Sequence, residues 1–311
     1  KIHANINEAQ GIWHMGQRDI NWVRISKGAA AAGFKMIHFG KLLHAMMHDQ
    51  YSNILDKVQV KIYTDEPEVL KLRQQAIAVF ADRDARLKGM TDEDVNTFYS
   101  CALCQSFAPS HICVVSPERP GLCGAYSWLD CRAAYEITPT GANQPIPKGK
   151  CIEQKVGQWD KVNEFVLKAS GNKVERMSQY SMIIDPMTSC GCFECIAAVL
   201  PSTNGIMIVN REYTEMTPCG MKFSTLAGTA GGGNQTPGFI GHSKHYIGSR
   251  KFIAAEGGIR RIVWMPTALK QEIKDVIVDR AGELGFDGVE FLAKIADETN
   301  AIDEEKVLEF I

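Results

Sequence analysis

Residues 101–124 read CALCQSFAPSHICVVSPERPGLCG and place Cys101, Cys104, Cys113 and Cys123 in the spacing C-x2-C-x8-C-x9-C. The first two can bind one metal or cluster from a single turn. The other two lie in a stretch dense in proline, glycine and serine, where free backbone amides can hydrogen-bond to cluster sulfides. Four thiolates suit a [4Fe–4S] cluster or a zinc ion. Because zinc ribbons tend to use two C-x2-C pairs, the spacing favours the cluster. Four buried, unligated cysteines are the remaining alternative.

A second cysteine motif lies at residues 189–195, SCGCFEC, where only Gly191 separates Cys190 from Cys192. A disulfide between these two cysteines would be strained, and zinc sites usually space paired cysteines two to four residues apart. The tripeptide instead offers four donors in a row: two sulfurs, and the amide nitrogens of Gly191 and Cys192. A metal bound by all four closes three nearly flat chelate rings, which indicates square-planar Ni(II) or Cu(II). The alternative is a turn that carries two inert cysteines.

The charge of this tripeptide predicts a second metal beside the first. Two thiolates and two deprotonated amides carry more negative charge than one divalent metal can neutralise. The sulfurs therefore stay electron-rich and can bridge to a second metal. We read the preceding YSMIIDPMTS as beginning with a strand, residues 180–185, and CIAAVL, residues 195–200, as a helix. The start of a helix at this point would stabilise thiolates.

A competing cysteine pairing stays open from spacing alone. Cys192 and Cys195 also form a C-x2-C pair, so a zinc site can be built from Cys101, Cys104, Cys192 and Cys195. That site ranks lower because it leaves three cysteines without a role: Cys113, Cys123 and Cys190. In the preferred arrangement four cysteines remain, which we expect to be buried or to support the ligands: Cys131, Cys151, Cys195 and Cys219.

Composition excludes several classes of protein. The chain has 311 residues, is 45% hydrophobic and 23% charged, and carries a formal net charge of −2, so nothing in the overall charge points to nucleic acid or to an anionic membrane. No apolar run approaches the length of a membrane span. Ten cysteines would indicate disulfides in a small secreted protein, but length and uneven spacing argue for metal here. The first residues, KIHANINEAQ, predict a fragment of a longer protein or a processed one.

Strand and helix patterns alternate along the chain and predict a mixed α/β fold with two domains, 1–90 and 91–311. Strands are expected at INWVRIS, VQVKIYTD, GIMIV and IRRIVWMP. Helices are expected at AAAAGFKMIHFGKLLHAMMHD, at the segment that Asp65 caps and Gly89 ends, at HYIGSRKFIAAEG, at TALKQEIKDVIVDRAGELG and at DEEKVLEFI. A further helix is predicted to begin near Thr91 and to lead into the first cysteine pair.

The glycine-rich stretch LAGTAGGGNQTPGFIG, residues 226–241, does not match a phosphate-binding motif. It lacks the Walker lysine, and no G-x-G-x-x-G fits a strand-to-helix turn. We therefore expect a tight loop near the cluster. His242 and His245 have no third ligand in view, so we expect histidines at the surface or behind the metal ligands.

Taken together, the two cysteine motifs resemble the acetyl-CoA synthase subunit of the bifunctional carbon monoxide dehydrogenase/acetyl-CoA synthase family. The resemblance covers essentially the whole chain, with 1–90 similar to the end of a middle domain and 91–311 to the domain that carries the metal cluster. The domain that meets the dehydrogenase lies outside the matched part. Both cysteine motifs, CALCQSFAPSHICVVSPERPGLCG and SCGCFEC, are diagnostic of this family.

The resemblance implies a role for each residue of the two motifs. Cys101, Cys104, Cys113 and Cys123 are the ligands of a [4Fe–4S] cluster, and Cys104 also bridges to a proximal metal. Cys190 and Cys192 bridge that metal to a distal nickel, whose other ligands are the amides of Gly191 and Cys192. The active proximal metal is nickel, although copper or zinc can occupy the site, and Phe107 packs over it.

The reaction implied by the resemblance joins CO, a methyl group and coenzyme A into acetyl-CoA in the cytoplasm. The methyl donor would be a methylated corrinoid iron–sulfur protein, and a carbon monoxide dehydrogenase subunit would be a further partner. No nucleic acid or membrane is expected to bind. Trp13, Arg18, Trp22 and Arg24 mix aromatic and cationic groups that can meet coenzyme A. The other two functions left open are a non-enzymatic [4Fe–4S] electron carrier and a zinc-stabilised binding module.

Overall fold

The structure, a computed structural model, describes residues 12–16, 21–25, 27–55, 63 and 65–302. It divides the chain into two compact units, Lys1–Lys88 and Gly89–Ile311. Mixed α/β architecture is confirmed, because each unit combines helices with paired strands. The assignment of 1–90 to a middle domain and of 91–311 to a catalytic domain stays a prediction. No helix in the described part of the chain is long and apolar enough to cross a membrane.

The first unit contains one antiparallel strand pair and three helices among its described residues. Strands β1 (Ile12–Gly16) and β2 (Asn21–Ile25) pair with Ile12 opposite Ile25. The helices are α1 (Lys27–Ala31), α2 (Met36–Leu55) and α3 (Glu66–Ala85). As expected, Asp65 caps α3 by accepting a hydrogen bond from the backbone N–H of Glu68.

The second unit carries nine strands and seven helices in the part of it that the structure describes. The strands are β3 (Thr97–Cys101), β4 (Cys113–Val115), β5 (Pro145–Pro147), β6 (Cys151–Glu153), β7 (Gln158–Trp159), β8 (Cys195–Leu200), β9 (Gly205–Asn210), β10 (Phe239–His242) and β11 (Ile262–Trp264). The helices are α4 (Trp128–Ile137), α5 (Asp160–Ala169), α6 (Phe223–Ala230), α7 (Lys244–Ile247), α8 (Thr267–Glu272), α9 (Lys274–Glu283) and α10 (Gly288–Lys294).

Two sheets of the second unit frame the cysteine motifs. The larger sheet has the order β10-β8-β9-β11, with one parallel pair, β9 with β11, and its strands contribute to the main hydrophobic core together with α8, α9 and α10. The smaller sheet has the order β4-β3-β5 and is antiparallel throughout. The first cysteine motif lies on the smaller sheet, and the second precedes the central strand β8 of the larger one.

The helix predicted to begin at Thr91 is wrong. Thr91 and Asp94 form a capping box around a single 3-10 turn, with the Thr91 backbone N–H 2.8 Å from Asp94 Oδ2. Val95 then adopts an extended backbone, and β3 begins at Thr97. The aromatic and β-branched residues that follow the turn favour a strand paired on both sides over a helix.

Residues 195–200 are also a strand and not the predicted helix. β8 pairs with β9 along its whole length and with β10 on its other edge. A short apolar run that is buried on both faces has no periodicity to separate strand from helix. The predicted strand at 180–185 is a turn instead, because Ser181 Oγ accepts hydrogen bonds from the backbone N–H groups of Ile183 and Ile184.

Other predicted elements are confirmed in part. The strands at GIMIV and IRRIVWMP are present as β9 and β11. The long helix after Pro266 is interrupted at Ile273 and forms α8 and α9. HYIGSRKFIAAEG contains the end of α7 and a 3-10 turn, Ala254–Glu256, in place of one helix. The predicted strand VQVKIYTD and the helix DEEKVLEFI lie essentially outside the described residues, as does Arg18.

Candidate metal centre

The β3–β4 hairpin positions the first cysteine motif. Cys101 ends β3 and lies directly opposite Cys113, the first residue of β4. Cys104 lies between them on a 3-10 turn, Leu103–Ser106. Both strand cysteines are buried, and burial, followed by the charge of Cys113, raises the pKa of Cys101 to about 12.

The fourth cysteine is carried to the second motif by a backbone contact. The backbone N–H of Glu194 donates to the carbonyl oxygen of Leu122 at 3.2 Å, so the residues next to Cys123 lie against those next to Cys192. Gly124 has a φ of +70°, and a Cβ on it would lie 2.6 Å from the Glu194 carboxylate. A glycine is therefore required at the point where the two motifs meet. Burial and the charges of Cys192 and Cys101 raise the pKa of Cys123 well above its ordinary value.

The Cys190–Gly191–Cys192 tripeptide forms a tight turn whose donors face one another. Gly191 has a φ of +99°, and the backbone N–H of Cys192 lies 3.2 Å from Cys190 Sγ. A Cβ added to Gly191 would meet nothing within 4 Å, so the backbone angle and not lack of space requires glycine. The strand β8 follows at Cys195, so the predicted stabilisation of these thiolates by a helix N-terminus is wrong.

The two motifs converge at Cys104. Its thiol interacts with the sulfurs of Cys190 and Cys192, and this interaction raises the pKa of Cys104 well above its usual range. The same contact with Cys104, reinforced by His111, holds the pKa of Cys190 well below its ordinary value. The sulfurs of Cys104 and Cys190 and a ring nitrogen of His111 lie within 4.8 Å of one another. A sulfur that touches both motifs is the arrangement that a bridging ligand needs.

His111 is a site residue that the sequence reasoning missed. It is fully buried, with Nε2 3.2 Å from Cys113 Sγ and Nδ1 2.9 Å from Thr188 Oγ1. Burial by itself lowers the pKa of His111, but the charges of Cys190 and Cys113 outweigh burial and hold it well above its ordinary value. The available signal was a histidine two residues before a candidate ligand, in SHIC.

The glycine-rich stretch packs against both motifs, as expected of a loop near the cluster. Gly233 donates its N–H to the carbonyl of Ser189 at 2.8 Å, and a Cβ on Gly233 would lie 2.8 Å from the backbone nitrogen of His111. A Cβ on Gly231 would lie 3.5 Å from the Gly191 nitrogen. The first residues of the stretch belong to helix α6, which ends at Ala230, so the loop itself is shorter than predicted.

Phe107 lies on the turn that carries Cys104. Its backbone N–H donates to the carbonyl of Cys104 at 3.1 Å, and the residue is 40% exposed. An aromatic ring with this exposure, three residues from the convergent sulfur, lies at the surface next to the centre. Its packing over a bound metal stays a prediction.

The structure disfavours the competing zinc site and shows where the other cysteines and histidines of the sequence analysis lie. Cys195 is part of the main hydrophobic core, which disfavours a site built from Cys101, Cys104, Cys192 and Cys195. Cys131 is buried as expected, Cys219 is partly exposed, and Cys151 is exposed, which corrects its predicted burial. His245 is at the surface, whereas His242 is fully buried.

The donor set fits the expected metal groups. Among the described residues, the one set of three or more metal-ligating atoms within 4.8 Å of one another is Cys104, His111 and Cys190. Within the first motif, no three cysteines therefore have sulfurs close enough for one tetrahedral zinc ion. Zinc–sulfur bonds of about 2.3 Å would place these sulfurs about 3.8 Å apart. A multi-iron cluster fills a wider arrangement of four cysteines, and the two sulfurs of Cys190 and Cys192 together with the two amide nitrogens would suit square-planar nickel or copper.

Two family models match this chain. The model for the C-terminal part of the ACS/CODH beta subunit matches residues 80–311, and that of the CO dehydrogenase/acetyl-CoA synthase complex beta subunit matches residues 1–69. The chain belongs to the ACS/CODH beta subunit family. The suspected resemblance is thereby confirmed.

Curated relatives of the ACS/CODH beta subunit family match this chain over its full length. It is 52% identical to the carbon monoxide dehydrogenase/acetyl-CoA synthase subunit alpha of Moorella thermoacetica and covers 42% of that protein. It is 43% identical to the acetyl-CoA decarbonylase/synthase complex subunit beta of Methanopyrus kandleri and covers 64% of it. The chain thus spans less than two thirds of either relative.

A solved structure of the C-terminal domain of an acetyl-coenzyme A synthase alpha subunit is also similar in sequence. Identity is 52%, the match covers 39% of this chain and 89% of that one, and the TM-score is 0.35.

Proposed function

We propose that this chain is the metal-cluster-bearing part of an acetyl-CoA synthase, which joins CO, a methyl group and coenzyme A into acetyl-CoA. The observation that carries the proposal is the convergence of the two cysteine motifs at Cys104, whose sulfur interacts with those of Cys190 and Cys192. A bridging thiolate between an iron–sulfur cluster and a second metal centre needs this contact. Membership of the ACS/CODH beta subunit family supports the same conclusion.

The position of some of these side chains supports the ligand roles that we propose. Cys101, Cys104, Cys113 and Cys123 would hold a [4Fe–4S] cluster, with Cys101 and Cys113 held opposite each other by the β3–β4 pair. Cys104, Cys190 and Cys192 would hold a proximal nickel, a position that copper or zinc can also take. Cys190, Cys192 and the amide nitrogens of Gly191 and Cys192 would hold a distal nickel.

When bound, the nickel–iron–sulfur centre supplies the site where CO and the methyl group are joined and passed to the coenzyme A thiol. The chain's own residues prepare this site. Cys104 and Cys190 would act as ligands in their deprotonated form. Cys190 and Cys192 are buried, which limits the access of water to their sulfurs, whereas Phe107 lies exposed at the end of the turn that carries Cys104.

Partners and location are part of the proposal. A methylated corrinoid iron–sulfur protein would deliver the methyl group, and a carbon monoxide dehydrogenase subunit would supply CO, since relatives are named as subunits of such complexes. We place the chain in a reducing compartment such as the cytoplasm, because the proposed roles need cysteines that stay available as metal ligands.

Replacement of the convergent cysteine tests the proposal. We expect Cys104→Ala to lower the rate of acetyl-CoA formation from CO, methylated corrinoid protein and coenzyme A by at least about 100-fold, because cluster and nickel lose their shared ligand. Cys151→Ala is the matched control, since Cys151 is exposed and lies outside both motifs. Parent-like synthesis by Cys104→Ala, with its metals intact, would show that the bridging assignment is wrong.

A further inference from the structure

His111 occupies a position between the two cysteine motifs that no ligand role explains. Its Nε2 lies 3.2 Å from Cys113 Sγ, and its ring nitrogen, Cys104 Sγ and Cys190 Sγ lie within 4.8 Å of one another. The His111 ring therefore lies close to a proposed cluster ligand and to two proposed nickel ligands. The ring is fully buried, so water does not compete for its N–H.

Thr188 holds the His111 ring in this orientation. Its hydroxyl oxygen lies 2.9 Å from Nδ1, accepts a hydrogen bond from the Ile112 N–H at 3.2 Å, and lies 3.4 Å from the Ile112 carbonyl oxygen. Thr188 is 77 residues from His111 in sequence but two residues before Cys190. The contact thus links the strand that carries Cys113 to the segment that carries Cys190.

The chemistry of the neighbours places a proton on Nε2. A cysteine sulfur that binds metal is a thiolate and offers only acceptor capacity, so the short Nε2 contact is favourable when Nε2 carries the hydrogen. If the ring is neutral, Nδ1 accepts from the Thr188 hydroxyl. If it is cationic, Nδ1 donates to that oxygen, whose own proton turns to the Ile112 carbonyl. The N–H to sulfur bond is the same in both cases.

We propose that His111 is a positioning residue of the metal centre, which donates Nε2–H to Cys113 Sγ and thereby raises the reduction potential of the iron–sulfur cluster. An N–H donated to a ligand sulfur withdraws negative charge from it, and this stabilises the more reduced cluster. The inference rests on the proposed function, because it needs a cluster at the first cysteine motif. Thr188 acts through His111 by fixing the ring.

The test measures the reduction potential of the cluster, together with iron and nickel per chain, in anaerobic redox titrations of the full chain. We expect His111→Leu, which removes the donor, to bind iron as the parent does and to titrate at a lower potential. His111→Gln retains an N–H donor of similar reach and should restore part of the difference. Thr188→Val leaves the ring but removes its anchor, so a smaller shift in the same direction is expected.

His245→Leu is the control, because His245 is exposed and should leave the potential unchanged. Equal potentials in His111→Leu and the parent, at equal iron content, would overturn the inference. If His111→Leu loses its iron, an unchanged potential in iron-loaded Thr188→Val overturns it equally. A parent chain that binds no iron contradicts the proposed function itself, so failure of that proposal gives a different result.

Discussion

The backbone of Gly191 limits which substitutions can test its role. Its φ of +99° lies in a region that proline cannot adopt and that alanine adopts with strain. Gly191→Pro removes the amide N–H but also breaks the turn, and Gly191→Ala keeps the amide at a conformational cost. Loss of nickel in either variant would therefore report strain as well as ligation. Substitutions at neighbouring residues are more informative.

Phe107 offers such a test at the residue scale. If its ring packs over the open metal position, Phe107→Ala should change the kinetics of CO and methyl-group reaction severalfold while iron and nickel contents stay at parent levels. The residue is half-exposed on the turn of Cys104, so the fold should tolerate the change. Ile137→Ala, at an exposed apolar residue of α4, is the control. Kinetics equal to the parent would mean that Phe107 does not cover the site.

Buried His242 predicts a pH dependence of stability. Burial is the main cause that lowers the pKa of His242 from 6.5 to about 4, with the nearby Arg119 charge acting in the same direction. Its Nδ1 lies 3.0 Å from the Ser243 carbonyl and must carry the proton, while the buried Nε2 has no hydrogen-bond partner among the described residues. Because the folded pKa lies below the unfolded one, the unfolded chain binds the proton first as the pH falls. Stability is therefore full above pH 6.5 and is lost towards pH 4.

His242→Leu removes this titration. We expect the parent to lose about 2 kcal/mol of unfolding free energy relative to the variant between pH 7.5 and pH 5. This value follows because each unit of difference between the folded and unfolded pKa corresponds to about 1.4 kcal/mol. Denaturant unfolding of both proteins at each pH measures the difference, and effects of pH on the metal centre cancel in the comparison. A difference that does not change with pH would show that His242 is not held neutral by the fold.

The residue scale also shows what sequence can predict about the site. The two cysteine motifs are local, and their spacing favoured a cluster at the first motif and a square-planar metal at the second, while the arrangement of one beside the other came from the family resemblance. His111 was missed because its partner Thr188 is 77 residues away in sequence, and its place two residues before Cys113 was a weak signal by itself. The contact of Cys104 with Cys190 likewise depends on how the β3–β4 hairpin meets the segment before β8.

At the scale of elements, the contact between β10 and the second motif provides a further prediction. A Cβ on Gly241 would lie 2.2 Å from the ring of Phe193, which is fully buried and follows Cys192 directly. We expect Gly241→Ala to lower the unfolding free energy by about 1–3 kcal/mol through overpacking. Nickel content should fall as well, because a displaced Phe193 moves Cys192.

Gly228→Ala is the control for this change. Gly228 lies inside α6 with nothing within 4 Å of an added Cβ, so alanine should be neutral or stabilise by up to about 1 kcal/mol. Denaturant unfolding and nickel quantitation are compared for both variants. If Gly241→Ala matched Gly228→Ala in both measurements, the close packing of Phe193 on β10 would not hold the nickel ligands in place.

Elements were predicted well where a local signal was strong. Asp65 caps α3 as expected, and the apolar residues of GIMIV form β9. The strand at residues 195–200 was predicted wrongly, because an apolar run of this length is buried equally well as a helix or as a central strand. These residues form a strand because β9 and β10 pair with the two edges of β8. The single turn at Thr91 similarly has a capping box but no helix to cap.

At the scale of the whole molecule, the proposed metal centre lies in the second unit, Gly89–Ile311, and its proposed ligands come from segments far apart in sequence. Residues 101–123 and 190–192 meet through the Leu122–Glu194 backbone contact and through Cys104. Sequence alone cannot determine such a contact, because the relative position of the two motifs is set only when the sheets form. The resemblance to a known family filled this gap, and the family model over residues 80–311 supports it.

Whether the chain binds an iron–sulfur cluster together with nickel, as the bridged centre requires, is decided by its metal content. Iron, nickel and zinc would be quantified per chain in protein that is purified anaerobically and supplied with all three metals. We predict about four iron atoms and about two nickel atoms per chain, since a four-iron cluster and two nickel positions share the cysteines of both motifs. Iron without nickel would indicate an electron carrier and zinc alone a zinc-stabilised binding module, and either result would contradict the bridged centre.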